Sequence, residues 1–378
     1  MSSNFSNYRG SLSELKSIFE NNKSKRILFV TGKKSFSESK ICNDLLLDLK
    51  DFEILRHSDF EINPKIEDIK RGLEIARKFN PDLIVGIGGG SVLDTAKLLS
   101  SFYDNSINPE SLILDGGIKP IRSKRLILIP TTAGSGSEVT HFAVIYIKNN
   151  KYSYANDDLI ADYVILDSRL TDSADSYLTS VTLFDAFSQA IESYWATGSN
   201  EVSREYSAKS IKLILDNFEE LISNPNSNVR DNMLLASYYA GKAINISKTT
   251  APHAISYAIT MNYGVPHGHA VALTLPLFLE YNSKVNIEKL NSKIDVSEYI
   301  LRFGVLLNLL NVDSSKEASN KIYKMMLKCG LQTKLSEIGI SSESEIVELA
   351  ESVNVERLGN NPMNISKEQL VELLSTLV

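Results

Sequence analysis

Between Arg26 and Asp167 short apolar runs alternate with longer segments of helical periodicity. RILFVT (26–31), DLIVGI (82–87) and RLILI (125–129) are continuous apolar runs of strand length, the pattern of strands covered on both faces. Ile66 to Phe79, between the first two, repeats its apolar positions at helical spacing and ends before Pro81. This alternation predicts βαβ units and a largely parallel sheet. FAVIYI and KYSYA, separated by KNN, predict a hairpin, and ADYVILD a further strand ending near Asp167.

From about Ser176 the pattern changes. SYLTSVTLFDAFSQAIESYWA, SREYSAKSIKLILDNFEELI and NVRDNMLLASYYAGKAI predict long helices, and proline is scarce until Pro252. The boundary is expected near residues 168–175, giving an α/β nucleotide-binding domain over 1–171 and an all-helical domain over 172–378. NPNSN, from Asn224, and NNPMN, from Asn360, read as surface turns.

A chain of 378 residues, 43% hydrophobic and 23% charged, exceeds what one core usually holds, which agrees with two domains. The net charge of -6, with both signs mixed throughout, argues against a nucleic-acid partner. No apolar run reaches membrane-spanning length, and the polar start MSSNFSNYRG lacks a signal segment, so a soluble cytoplasmic protein is expected, with no membrane partner. Cys42 and Cys329 form neither a ligand motif nor a disulfide framework.

Two loops in the first half carry candidate nucleotide chemistry. GIGGGSVLDTAK (86–97) follows a strand and opens a helix, so Gly88, Gly89, Gly90 and Ser91 can bring backbone amides close to a pyrophosphate. The spacing is neither the dinucleotide fingerprint nor a Walker A loop. PTTAGSGSEVT (130–140) also follows a strand, and Thr131, Thr132 and Ser135 can wrap phosphate or the nicotinamide side of a cofactor. At the end of the first strand, where a carboxylate would receive an adenosine ribose, the chain has Gly32 followed by Lys33 and Lys34, which favours a 2'-phosphate and hence NADPH.

The second half carries candidate metal chemistry. PHAISYAITMNYGVPHGH places His253 and His267 fourteen residues apart, and Asp185 with Gln189 in DAFSQAIESY stand one turn apart on one helix face. Together they suggest a divalent metal held by a carboxylate, an amide oxygen and two imidazoles.

GGGSVLDTAK, PTTAGSGSEVT and VPHGHAVALTLP, in this order, resemble the iron-containing, or group III, alcohol dehydrogenase family over nearly the whole chain. The resemblance implies the dehydroquinate synthase-like fold of that family, an N-terminal nucleotide domain with a helical metal domain. It also implies Fe²⁺ or Zn²⁺ and NADPH or NADH as cofactors, a small aldehyde or alcohol substrate, and a homodimer or larger homo-oligomer. The family metal set of one aspartate and three histidines matches Asp185, Gln189, His253 and His267, with Gln189 standing where the family has histidine. An amide oxygen is a poorer ligand than imidazole for iron or zinc. Tyr257 occupies the place of a further family histidine and is a candidate for a proton relay or for packing; His269 is a second proton candidate. Ser91, Asp94 and Lys97 match a family segment near the cofactor phosphates, with a structural ion pair the other reading of Lys97. Lys151 matches a lysine that helps fix the cofactor, and His141 is expected to shape the substrate side, whereas His57 is expected to be structural or exposed.

DAFSQAIESYWATG with INISKTTAPHAISY resembles the branch of that family that reduces phosphonoacetaldehyde to 2-hydroxyethylphosphonate. A doubly charged phosphonate needs donors, and Lys248 and Thr249, with Ser247 and Thr250, form a candidate anion group just before His253. The same residues also admit a broad short-chain alcohol dehydrogenase of the same fold, a dehydroquinate-synthase-like lyase or a non-catalytic nucleotide-binding protein.

Overall fold

The computed structural model describes residues 4–104, 107–114, 120, 122–148, 150–353 and 358–378. The first three residues of the polar start and Asn149 of KNN lie outside them. The chain divides into two compact units, residues 1–173 and 174–378.

The first unit is built on a six-stranded, wholly parallel sheet of order β1-β8-β5-β4-β2-β3. Its strands are β1 (Asn4–Asn7), β2 (Arg26–Thr31), β3 (Glu53–His57), β4 (Leu83–Gly88), β5 (Arg125–Pro130) and β8 (Tyr163–Leu166). Every residue of β4 and all but the first of β2 and β5 are buried, as their unbroken apolar sequence requires. The strands are linked through α1 (Glu14–Asn21), α2 (Lys34–Ser37), α3 (Lys40–Asp48), α4 (Ile66–Phe79), α5 (Gly90–Phe102) and α6 (Pro109–Leu114). β6 (Phe142–Ile147) and β7 (Asn150–Ala155) form the antiparallel hairpin, tied to the start of α4 by Tyr146 N donating to Pro64 O at 2.9 Å.

Because β2, β4 and β5 are parallel and in register, with Thr31 opposite Ile87 and Gly88 opposite Pro130, their carboxyl ends share one edge of the sheet. The loops after them, at Gly32, Gly89 and Thr131, therefore emerge side by side, where open α/β sheets bind ligands.

The second unit is helical: α7 (Ser176–Trp195), α8 (Glu201–Ser223), α9 (Ser227–Ser247), α10 (Ala251–Tyr263), α11 (His267–Ser283), α12 (Val296–Leu309), α13 (Ser315–Lys328), α14 (Glu343–Glu351) and α15 (Lys367–Ser375). From Leu183 to Trp195 every residue of α7 is buried, so this helix is the core element against which α8, α9 and α11 pack. No helix among the described residues is long and apolar enough to cross a membrane.

NNPMN departs from the surface turn its sequence suggests. Asn361 and Met363 are buried, Asn361 exchanges amide hydrogen bonds with Asn282, and Leu290 bridges Met363. Asn360 holds the end of α9: its Nδ2 donates to Ser247 O at 2.8 Å and to Thr249 O at 2.9 Å. Polar turn residues were the signal read, and here the amides serve buried backbone carbonyls instead of water.

Candidate active site

The helical unit brings three of the expected ligands together. Asp185, His253 and His267 offer ligand atoms that all lie within 4.8 Å of one another. Asp185 sits midway along buried α7, His253 in the first turn of α10 and His267 at the first residue of α11. The approach of α11 to α7 depends on Gly268, because a Cβ there would stand 2.0 Å from Val181 O and 3.0 Å from Asp185 N. Any larger residue would push His267 away from Asp185.

Both imidazoles turn Nε2 toward the carboxylate, at 3.5 Å for His253 and 4.0 Å for His267 from Asp185 Oδ1. Each Nδ1 has a partner on its far side. His253 Nδ1 lies 2.5 Å from Glu192 Oε1. Ser256 Oγ donates to His253 O at 2.8 Å and so has only lone pairs left for His267 Nδ1, 3.2 Å away. With Nδ1 so engaged, each ring turns its Nε2 toward Asp185. His253 Nε2 is buried and makes no hydrogen bond. A buried nitrogen lone pair facing a carboxylate and a second lone pair is the donor set of a divalent cation, so the residues fit an iron or zinc ion.

The electrostatics agree. Burial works to raise Asp185, but His253, His267 and Gln189 outweigh it and hold the carboxyl below its usual range. Burial likewise works to lower His253, yet the carboxylates of Glu192 and Asp185 lift it to about 9, so without an ion the ring holds a second proton, which a cation binding at Nε2 would displace.

Gln189 is buried one turn beyond Asp185, and its Nε2 donates to Asp185 Oδ1 at 3.0 Å. Coordination through its oxygen requires the amide to turn over, which exchanges two atoms of similar size. The ring of Tyr257 stacks on His267, centroids 5.6 Å apart and planes 10° from parallel. His269 is not in this group: its Nε2 lies 2.9 Å from Gln332 O.

Lys248, Thr249 and their neighbours form the link between α9 and α10. Lys248 is exposed and holds φ 61°, ψ 176°, a region few residues other than glycine adopt, and the paired bonds from Asn360 to the carbonyls on either side keep it there. Thr249 is buried, Ser247 Oγ donates to Ser193 Oγ at 2.7 Å, and Thr250 Oγ1 donates to Glu192 at 2.9 Å, so the last two hydroxyls point inward.

Glu192 was not among the residues the sequence singled out, although it stands seven positions after Asp185 on the same face of α7 and is fully buried. The spacing of the large polar side chains at 185, 189 and 192, the only ones between Leu183 and Trp195 that carry a carboxylate or an amide, is the signal that could have found it.

In the first unit the two glycine-rich loops meet through their backbones: Thr131 N donates to Gly88 O at 3.0 Å, and the helix α5 begins at Gly90 with Gly89 as its N-cap. Cβ atoms at Gly89 and Gly90 would touch Thr132 and Ser135 respectively. Ser91 Oγ accepts from Asn63 N at 3.1 Å. Asp94 is turned inward, accepting from Ser137 Oγ at 2.5 Å and Val144 N at 2.9 Å, so its carboxylate ties the second loop to α5. Lys97 is fully buried, its ammonium donating to Ser137 Oγ and Thr140 Oγ1 at 2.9 Å and to Phe142 O at 3.0 Å. Arg56 donates to the carbonyls of Gly32 and Lys33, both at 2.7 Å. Lys33 Nζ lies 3.0 Å from Asp59, just beyond the end of β3. Lys151 lies on β7 opposite Tyr146, and the ring of His141 meets Phe142 edge-on. His57 is buried.

Comparison with known proteins decides the family. A model described as iron-containing alcohol dehydrogenase matches residues 4–168, and one described as the C-terminal part of the Fe-containing alcohol dehydrogenase family matches 179–378. The chain belongs to the iron-containing alcohol dehydrogenase family. Among its relatives is a sulfoacetaldehyde reductase of Bilophila wadsworthia, 29% identical over 84% of this chain and 82% of the relative. An NADPH-dependent butanol dehydrogenase of Clostridium saccharobutylicum is 27% identical over 97% of this chain and 94% of the relative. A solved structure of sulfoacetaldehyde reductase from Bifidobacterium kashiwanohense in complex with NAD+ superposes with a TM-score of 0.87 at 28% identity, covering 99% of this chain and 96% of that one. As a member of that family the protein is an oxidoreductase, and its parallel-sheet unit and helical unit are those of the family.

Proposed function

We propose that the protein is a cytoplasmic, homo-oligomeric NAD(P)H-linked aldehyde reductase whose substrate is a short aldehyde with a terminal anion, phosphonoacetaldehyde in particular, reduced to 2-hydroxyethylphosphonate. The observation that carries the redox reading is the convergence of Asp185, His253 and His267, with Gln189 one turn away. A divalent ion held by these residues supplies Lewis acidity for a carbonyl oxygen. The loops at Gly88–Ser91 and Thr131–Ser135 offer backbone amides and hydroxyls to the nucleotide phosphates. The reaction consumes the hydride of NAD(P)H and one proton, and Tyr257, stacked on His267, is the side chain we assign to relay that proton.

Support for an anionic substrate is the exposed cation of Lys248 at a strained backbone position in the segment leading into His253, together with likeness to proteins named for sulfoacetaldehyde, a two-carbon aldehyde carrying a sulfonate. Sulfoacetaldehyde is accordingly the second candidate. Asp59 beside Lys33 tempers the preference for a 2'-phosphate, so NADH remains a substrate beside NADPH.

The test is the initial rate of NADPH and NADH oxidation by Fe²⁺-loaded protein without oxygen, with phosphonoacetaldehyde, sulfoacetaldehyde and neutral short aldehydes compared. A kcat/KM advantage of tenfold or more, on the order of 1.4 kcal/mol, for phosphonoacetaldehyde is expected; a flat profile overturns the anionic substrate and leaves a broad alcohol dehydrogenase. Lys248→Ala should raise KM for the anionic aldehyde roughly tenfold, the loss of one charge-assisted contact, and leave the neutral ones nearly unchanged. Equal effects on both would remove Lys248 from the substrate site.

A further inference from the structure

Asp185, His253 and His267 show which atoms a cation would meet, but a histidine ring can turn over and can carry its proton on either nitrogen. What prevents both at His253 is Glu192. Its carboxylate is fully buried, and its two oxygens do different things. Oε2 accepts from Thr250 N at 2.7 Å and Thr250 Oγ1 at 2.9 Å and lies 3.5 Å from His253 N, so it satisfies amides of the first turn of α10 that have no partner within the helix. Thr250 Oγ1 in turn accepts from Trp195 Nε1 at 2.9 Å, which fixes the hydroxyl. Capping α10 needs Oε2 alone. Oε1 is left for His253 Nδ1, 2.5 Å away.

We propose that Glu192 is the positioning residue of the metal group: by accepting from His253 Nδ1 it sets the tautomer and the ring plane, so that the Nε2 lone pair faces Asp185 and His267. The proposal rests on the metal reading given above. An ion-binding histidine whose second nitrogen donates to a carboxylate is both oriented and made more basic. A neutral amide at position 192 cannot fill both roles. If its oxygen faces His253, its NH2 group meets the Thr250 donors; if it turns over, it donates to Nδ1 and drives the ring proton onto Nε2, where the ion would bind. Ser256, which receives His267 Nδ1 at 3.2 Å, is a neutral counterpart at the second ring and holds it less strongly.

The experiment measures the Zn²⁺ dissociation constant of metal-free wild type, Glu192→Gln, Glu192→Asp and Asp185→Ala by competition with a chromophoric chelator, with the Tm of each metal-free protein alongside. Glu192→Gln is expected to bind about 10–100-fold more weakly, and Glu192→Asp, which keeps the charge at a shorter reach, to recover part of that loss. A folded Glu192→Gln protein with wild-type affinity would overturn the proposal whatever its Tm, leaving Glu192 only as the cap of α10. If Glu192→Gln does not fold, Glu192→Asp decides, since wild-type affinity in it would equally show that the His253 contact does not matter. Wild type that binds no Zn²⁺, or Asp185→Ala that binds as well as wild type, would bring down the metal reading itself, and this proposal with it.

Discussion

Around Lys97 three ammonium protons meet three acceptors, Ser137 Oγ, Thr140 Oγ1 and Phe142 O, and nearby Asp94 has both carboxylate oxygens engaged. Around Asp185, in the other unit, two imidazole nitrogens face a carboxylate at 3.5 and 4.0 Å, and the buried one makes no hydrogen bond. Both regions bury charge, at a cost that only close pairing offsets. The first is closed on itself and ties a loop to a helix. The second has its outer atoms anchored, by Glu192 and Ser256, and its inner atoms turned toward a common point. Burial alone therefore does not mark a site; what distinguishes one is ligand atoms of three side chains that converge within 4.8 Å of one another.

Removing the carboxylate of the open cluster should have the largest effect. Asp185→Ala is expected to lower kcat/KM for aldehyde reduction roughly 1,000-fold or more, the scale of losing an electrostatic stabiliser of the developing oxyanion, while the metal-free protein stays folded. Steady-state rates with a melting curve check both halves. A variant that lost its fold but, where folded, kept its rate would reverse the roles assigned to the two clusters.

The closed cluster should respond the other way. Lys97→Ala leaves Asp94 buried without its cation and strips three acceptors of their donor, a change that costs about 3 kcal/mol or more. The Tm of a unit of this size should fall by roughly 6–12 °C at about 2–4 °C per kcal/mol. Metal affinity of the helical unit should be unmoved, which chelator competition on the same sample tests.

A smaller effect follows from pH. Burial lifts Glu138, in the loop that Lys97 holds, to about 7, and burial brings Lys97 down to about 8. Between the ordinary glutamate value of 4.5 and about 7 the folded chain holds a proton the unfolded chain has released, so stability falls as pH rises through that window. Between about 8 and the ordinary lysine value of 10.5 the unfolded chain holds the extra proton, and stability rises with pH. Glu138→Gln should flatten the fall between pH 4.5 and 7, read from chemical denaturation at a series of pH values. An unchanged slope would mean that another group sets it.

How much of this could be read from sequence differs between the regions for physical reasons. RILFVT, DLIVGI and RLILI were legible because central parallel strands must be apolar on both faces, and Ile66–Phe79 because its amphipathic spacing is regular. β1, with the sequence NFSN at the sheet edge, has no such constraint, and the partly buried EILRH of β3 shows only a weak one. The glycine-rich loops announce themselves by composition, but the inward turn of Asp94 depends on Ser137 and Val144, far away in the chain. The role of Glu192 is not legible, and Asn360 reads as part of a surface turn, for the same reason: each serves backbone or ring atoms roughly sixty or more positions distant, at Thr250 and His253 for one and Ser247 and Thr249 for the other.

Whether Asp185, His253, His267 and Gln189 hold an ion on which NAD(P)H-dependent aldehyde reduction depends is decided by stripping the protein with a chelator and following NADPH and NADH oxidation with phosphonoacetaldehyde before and after Fe²⁺ or Zn²⁺ is returned. Turnover is expected to be lost on stripping, restored by stoichiometric metal in wild type, and not restored in Asp185→Ala. Undiminished turnover by the metal-free protein would contradict the metal reading.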